Sequence, residues 1–211
     1  MKVSRLEGLA DGIFAFAMTL LVLDLHVPAS SGDLRLDVLK LWPKLVSLII
    51  SFIILAIYWS SHHLLLARLK TMSFPFMWRN IYFLLPISIV PFFTSLLGTY
   101  PLSRTAQLAY AADLALCGIL IFRAIHYALK QPDFFEQQPT LEFKRNVATK
   151  VLLPVIMYVL AGFTTFINPY LGIAFLIAGP LIYFTPIDTK TWELLVKPTD
   201  WLYGKIVQKR N

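Results

Sequence analysis

The residues able to do chemistry are few, and they cluster toward the ends of apolar runs. Arg5, Glu7, Asp11, Thr19, Asp24 and His26 lie in or beside the first run. Tyr58-Trp59-Ser60-Ser61-His62-His63 ends the second, and Trp78-Arg79-Asn80 opens the third. Asp113, Arg123 and His126 belong to the fourth. Side chains of these types satisfy one another through hydrogen bonds, which is how an acid inside an apolar span is held. Adjacent histidines point about 100° apart on a helix, so His62 and His63 face different neighbours. A metal site from His62, His63 and Asp11 lacks a second spaced pair of ligands, and no metal is assigned. No nucleophile–base pair, glycine-rich phosphate loop or redox cysteine pair occurs, and Cys117 stands alone in mid run. The chain reads as a non-enzyme with no cofactor.

Such residues need elements to position them, and composition says which. Of 211 residues, 57 % are apolar and 15 % charged. Soluble domains carry roughly 45–50 % apolar and 25 % charged residues. A chain of this size and apolarity would leave large apolar surface in water, so it belongs in a bilayer. One cysteine excludes a disulfide-stapled secreted module.

Spanning helices need about 20 mostly apolar residues. Six runs qualify, at about 8–25, 45–66, 81–97, 106–129, 151–167 and 170–184, the last short and joined to the fifth by the turn Asn168-Pro169. The sequence therefore predicts an all-α, six-span integral membrane domain over 1–187. Residues 188–211 form a cytoplasmic interfacial tail, in which Trp192, Leu194, Leu195, Trp201 and Leu202 alternate with lysines. The inner loop, 131–146, is the longest polar segment, and 33–41 is a mixed amphipathic stretch. Pro86, Pro91, Pro154 and Pro180 predict kinks.

With these spans, all but four of the 19 lysines and arginines fall on one side; Arg35, Lys40, Lys44 and Arg104 are the exceptions. The positive-inside rule then puts both termini in the cytoplasm of a cell-membrane protein. The net charge of +7 becomes a collar facing anionic headgroups rather than nucleic acid. Glu7, Asp11 and Pro28 argue against a cleaved signal peptide ending near Val27-Pro28-Ala29.

The first span has a distinctive face. With Phe16 at zero, Gly12, Thr19, Leu20 and Leu23 fall within about 60°, together with Arg5 and Leu9. Asp11 falls roughly 140° away, toward another helix. The front is apolar except for one hydroxyl, on Thr19, with an arginine, Arg5, at its cytoplasmic end.

The segment Arg5-Leu-Glu-Gly-Leu-Ala-Asp11-Gly-Ile-Phe-Ala-Phe-Ala-Met-Thr19-Leu-Leu-Val-Leu23 resembles the first helix of the endosomal/lysosomal potassium channel family (transmembrane protein 175), in its short prokaryotic form. That family is marked by Arg, three residues, then Phe-Ser-Asp; Leu9-Ala10 stand here for Phe-Ser, which loses a hydroxyl. Trp59, His62-His63, Asn80 and the Pro86–Phe92 stretch resemble its second and third helices. The resemblance implies a homotetramer whose first helices line a central pore without a carbonyl filter, and no Thr-Val-Gly-Tyr-Gly run occurs here. It carries the pore constrictions to Phe16, Leu20 and Leu23 and the selectivity ring to Thr19. Arg5, Asp11, Trp59, His62, His63 and Asn80 become a structural polar network. Position 16 is usually a smaller aliphatic residue, so Phe16 either narrows the pore or turns aside. The implied activity is passive, potassium-preferring cation conduction, with K⁺ as the permeant ion. The residues alone leave a second reading open, a proton-coupled secondary transporter using Asp11, Asp113 and the histidines.

Overall fold

The computed structural model describes residues 2–23, 25–26 and 34–184. The tail expected over 188–211, the segment Val27-Pro28-Ala29 and Asp24 lie outside the described residues. Among the described residues there are seven α-helices: α1 (Val3–Leu23), α2 (Leu34–Lys40), α3 (Trp42–Leu66), α4 (Phe74–Thr99), α5 (Arg104–Leu129), α6 (Leu141–Thr164) and α7 (Pro169–Phe184). A single 3-10 turn, Pro132–Phe134, follows α5.

Helix starts follow local chemistry. Ser73, Ser103 and Thr140 sit in extended conformation and accept from the backbone N–H three residues on, capping α4, α5 and α6. Pro75 in the first turn of α4 loses no helical hydrogen bond. Asn168 Oδ1 accepts from Tyr170 N at 2.9 Å, closing the turn into α7.

These caps explain why α4 and α6 start ahead of their apolar runs. α1 begins at Val3 rather than Gly8, and α4 at Phe74 rather than Ile81. α6 begins at Leu141, inside the segment expected to be the long polar loop. Apolarity marks the hydrocarbon-facing part of a helix; backbone hydrogen bonding continues to the cap. The amphipathic stretch near 33–41 is the short helix α2. The helices run through Pro86, Pro91, Pro154 and Pro180.

α1, α3, α4 and α5 are long and apolar enough to cross a membrane. The apolar stretches of α6 and α7, Lys150–Thr164 and Pro169–Leu181, are shorter. The chain is thus an all-helical, multi-pass membrane protein.

α5 is the central helix, packed on α4, α6, α7 and α3. Gly118 allows its close approach to α6: a Cβ there would run into Val155. α1 lies at the edge, against α3 and α4 only among the closer helix pairs. Three hydroxyls tie α3, α4 and α5 inside the bundle: Ser51 Oγ lies 2.7 Å from Tyr110 Oη and 2.7 Å from Thr94 Oγ1. Tyr58 donates to the carbonyl of Leu114 at 2.7 Å. Thr165 donates to Gln107 Oε1 at 2.6 Å, and Gln107 donates on to Pro101 O at 2.7 Å. In lipid an unmet polar group costs several kcal/mol, so these bonds fix the mutual rotation of the helices.

At one end of the bundle the α3–α4 and α5–α6 connections are stitched together. Leu69 and Phe135 form an antiparallel bridge, and Lys70 N donates to Phe134 O at 2.9 Å. Arg68 lies 4.0 Å over Phe143 and Arg79 4.0 Å over Tyr127. This end also holds the start of α1. Arg35, Lys40, Lys44 and Arg104 lie toward the other.

Candidate functional site in the first helix

α1 buries one stripe: Val3, Leu6, Ala10, Phe14, Ala17 and Leu21. The spacing of three and four residues is that of a helix face against a core. Phe14 is its one large ring, lodged 6.4 Å from the ring of His62 and 6.1 Å from that of Phe83.

Among the described residues, the opposite face is largely uncovered within the protomer. Phe16 is 65 % exposed and Leu23 67 %. Gly12 and Thr19 are exposed, and Leu20 is half-buried. A cleft of about 460 Å³ opens along this face, bounded by Gly8, Gly12, Phe16 and Leu20 and by Ser88 of α4. The Thr19 hydroxyl donates to Phe16 O at 2.8 Å. Its proton is thereby directed along the helix, and its remaining lone pairs point outward.

Behind that face, polar residues of three helices meet in pairs. Trp59 Nε1 donates to Asp11 Oδ1 at 2.8 Å. Asn80 Nδ2 donates to Phe76 O at 2.7 Å, which leaves Asn80 Oδ1 as an acceptor, 3.0 Å from His62 Nε2. His62 therefore donates from Nε2. His63 stacks on Trp59, with centroids 5.4 Å apart and planes 16° apart. The two histidines do face different neighbours, as their helical offset requires.

Two arginines of these polar clusters stand elsewhere. Arg5 is exposed and lies on the uncovered front, about 120° around the helix from Asp11, too far around to share its contacts. Arg79 is engaged with Pro75 O at 2.9 Å and with Tyr127. In its place Glu7 joins, with Oε1 3.1 Å from His63 Nδ1. Glu7 precedes Asp11 by four residues and so shares its side of α1; that spacing was its sequence signal. Asp113, on α5, is buried with Oδ2 lacking a hydrogen-bond partner among the described residues.

Comparison with known proteins gives this arrangement its relatives. The family profile described as endosomal/lysosomal potassium channel TMEM175 matches residues 5–91, which span α1, α3 and most of α4. A potassium channel of Chryseobacterium sp. (strain P1-3) is 30 % identical over 88 % of this chain and 94 % of that protein. A potassium channel of Chamaesiphon minutus is 28 % identical over 87 % of this chain and 93 % of the relative. The crystal structure of a lysosomal potassium-selective channel TMEM175 homolog from Chamaesiphon minutus superposes with a TM-score of 0.75 at 25 % identity, covering 86 % of this chain and 95 % of that one. With identity of that order sustained over nearly the full length of both proteins, the chain belongs to the TMEM175 family of endosomal/lysosomal potassium channels.

Proposed function

We propose that this chain forms a passive, potassium-preferring cation channel. In this reading four copies surround a pore lined by their α1 helices. The observation that carries the reading is the uncovered front of α1, where Thr19 is the one hydroxyl among Gly12, Phe16, Leu20 and Leu23. A single chain has one such helix, so a pore built from it requires a closed ring of copies. Rings of Leu20, Leu23 and Phe16 dewet when narrow and so act as a hydrophobic gate. A ring of Thr19 oxygens, each with its proton turned back to Phe16 O, offers lone pairs to a partly dehydrated cation. That favours K⁺ over the more strongly hydrated Na⁺ by a modest factor. No acidic side chain stands on this front, so divalent ions gain no special site.

α6 and α7 complete six spans, the short sixth tilting little or ending in the interface. Both termini lie in the cytoplasm, because Arg68, Lys70, Arg79 and Lys130 share one end of the bundle. There they meet anionic headgroups of the cell membrane. Asp11, Trp59, His62, His63 and Asn80 hold α1 from behind, while Arg5 marks its cytoplasmic mouth.

The test is K⁺ and Na⁺ flux in proteoliposomes, with native mass spectrometry on the same sample. Non-saturating K⁺ flux exceeding that of Na⁺, from a tetramer, is the expected result. The buried, unpartnered carboxyl oxygen of Asp113 favours a second reading, proton-coupled transport. Flux that saturates, follows a proton gradient and is uncoupled in Asp113→Asn replaces the channel reading with that one.

A further inference from the structure

The inner end of α1 is tied to α3 in two ways that differ in chemistry. One tie is the indole N–H of Trp59 on Asp11 Oδ1, at 2.8 Å; an indole N–H does not titrate. The other is Glu7 Oε1 against His63 Nδ1, at 3.1 Å. The two ties are joined through the stacked rings of Trp59 and His63. His63 Nδ1 is itself buried and makes no aligned hydrogen bond, although a carboxylate stands beside it. A neutral imidazole brings only a dipole to such a contact, whereas a protonated one brings a full charge and a charge-assisted bond. Histidine is the side chain that changes charge near neutral pH.

Among the described residues, the titratable groups around this contact are few. From α1 they are Glu7 and Asp11, the latter held by Trp59. From α3 there is His62, committed to Asn80. α4 contributes at this level the neutral Asn80 and Arg79, whose guanidinium is engaged with Pro75 O and the Tyr127 ring. None of these competes for Glu7.

We propose that Glu7 and His63 form a proton-operated clasp: protonation of His63 tightens the first turns of α1 onto α3, and its loss releases them. pH on the side of the membrane that holds the N-terminus thereby sets how firmly the helix is held. A clasped α1 stays back against its own protomer. A released α1 is free to bury its apolar front against its copies and close the gate. This effect on flux rests on the channel reading above; the clasp itself does not.

Hydrogen exchange of the amides of residues 4–12 tests the clasp directly, in nanodiscs, at a pH on either side of neutral and corrected for intrinsic rates. In the native protein exchange slows several-fold on acidification. The difference disappears in Glu7→Gln and in His63→Phe, the second of which keeps the stack on Trp59. An exchange rate indifferent to pH in the native protein overturns the proposal, as does a dependence that survives in both variants. In planar bilayers, acidifying the N-terminal side raises K⁺ current several-fold in the native protein and leaves both variants flat. Equal pH profiles in all three proteins overturn control by the clasp. A clasp present in exchange but with no K⁺ current under any condition overturns the channel reading instead.

Discussion

Thr19 is where selectivity is expected to reside, because the rest of its face offers a passing cation only hydrocarbon. Thr19→Ala removes the outward oxygen while the helix keeps its backbone bonds. Its K⁺-over-Na⁺ preference, read from reversal potentials, should fall toward that of free diffusion. Leu23→Ala acts on a different quantity: it widens an apolar constriction, so unitary current rises with little change in preference. Ser51 answers to stability rather than flux. Its hydroxyl lies between Tyr110 and Thr94 in the buried bundle, and Ser51→Ala leaves the Tyr110 hydroxyl without that partner. The expected loss is about 1–3 kcal/mol, seen as a lowered melting temperature in detergent. Among single residues, Glu7 was the least legible from sequence. Its charge spoke only against a signal peptide until His63 was found beside it.

Helices are legible when their boundary is a matter of local chemistry. Hydropathy located the central parts of α1, α3, α4 and α5, because a lipid-facing helix must be apolar over the hydrocarbon depth. It could not locate their ends, which depend on Ser73, Ser103 and Thr140 reaching back to a backbone N–H. The polar first turns of α6 look like loop for the same reason. Packing between helices was also hidden, since it depends on which small residue faces which neighbour. Gly118 shows this: in sequence it is one glycine in an apolar run, and in the bundle it is the point where α5 and α6 touch. Gly118→Val should overpack that contact by about 1–3 kcal/mol. The same change at Gly8, where a Cβ meets nothing within 4 Å in the protomer, should leave the isolated protomer's stability nearly unchanged. Paired thermal melts of the two variants check both statements. If Gly8 lies against a neighbouring copy, Gly8→Val instead weakens assembly, which native mass spectrometry reads separately.

For the whole molecule, the division of labour lies between a bundle and a helix at its edge. α3, α4 and α5 are fastened twice, by hydroxyl bonds in the interior and by the Leu69–Phe135 stitch at one end. α1 shares neither fastening. Apart from the two ties of its inner end to Trp59 and His63, it is held by a stripe in which Phe14 is the one large ring, with Ala10 and Ala17 on either side of it. Phe14→Ala should therefore loosen α1 selectively. Exchange of α1 amides rises while those of α5 keep their protection, and a uniform rise across both would contradict this separation. A stave resting on one knuckle against a rigid frame has a thermodynamic signature. Its displacement swaps a few side chains between similar apolar surroundings and breaks no backbone hydrogen bond. The heat-capacity change of gating should then be a small fraction of that for unfolding the bundle, leaving the gate responsive at temperatures far below those that melt the frame.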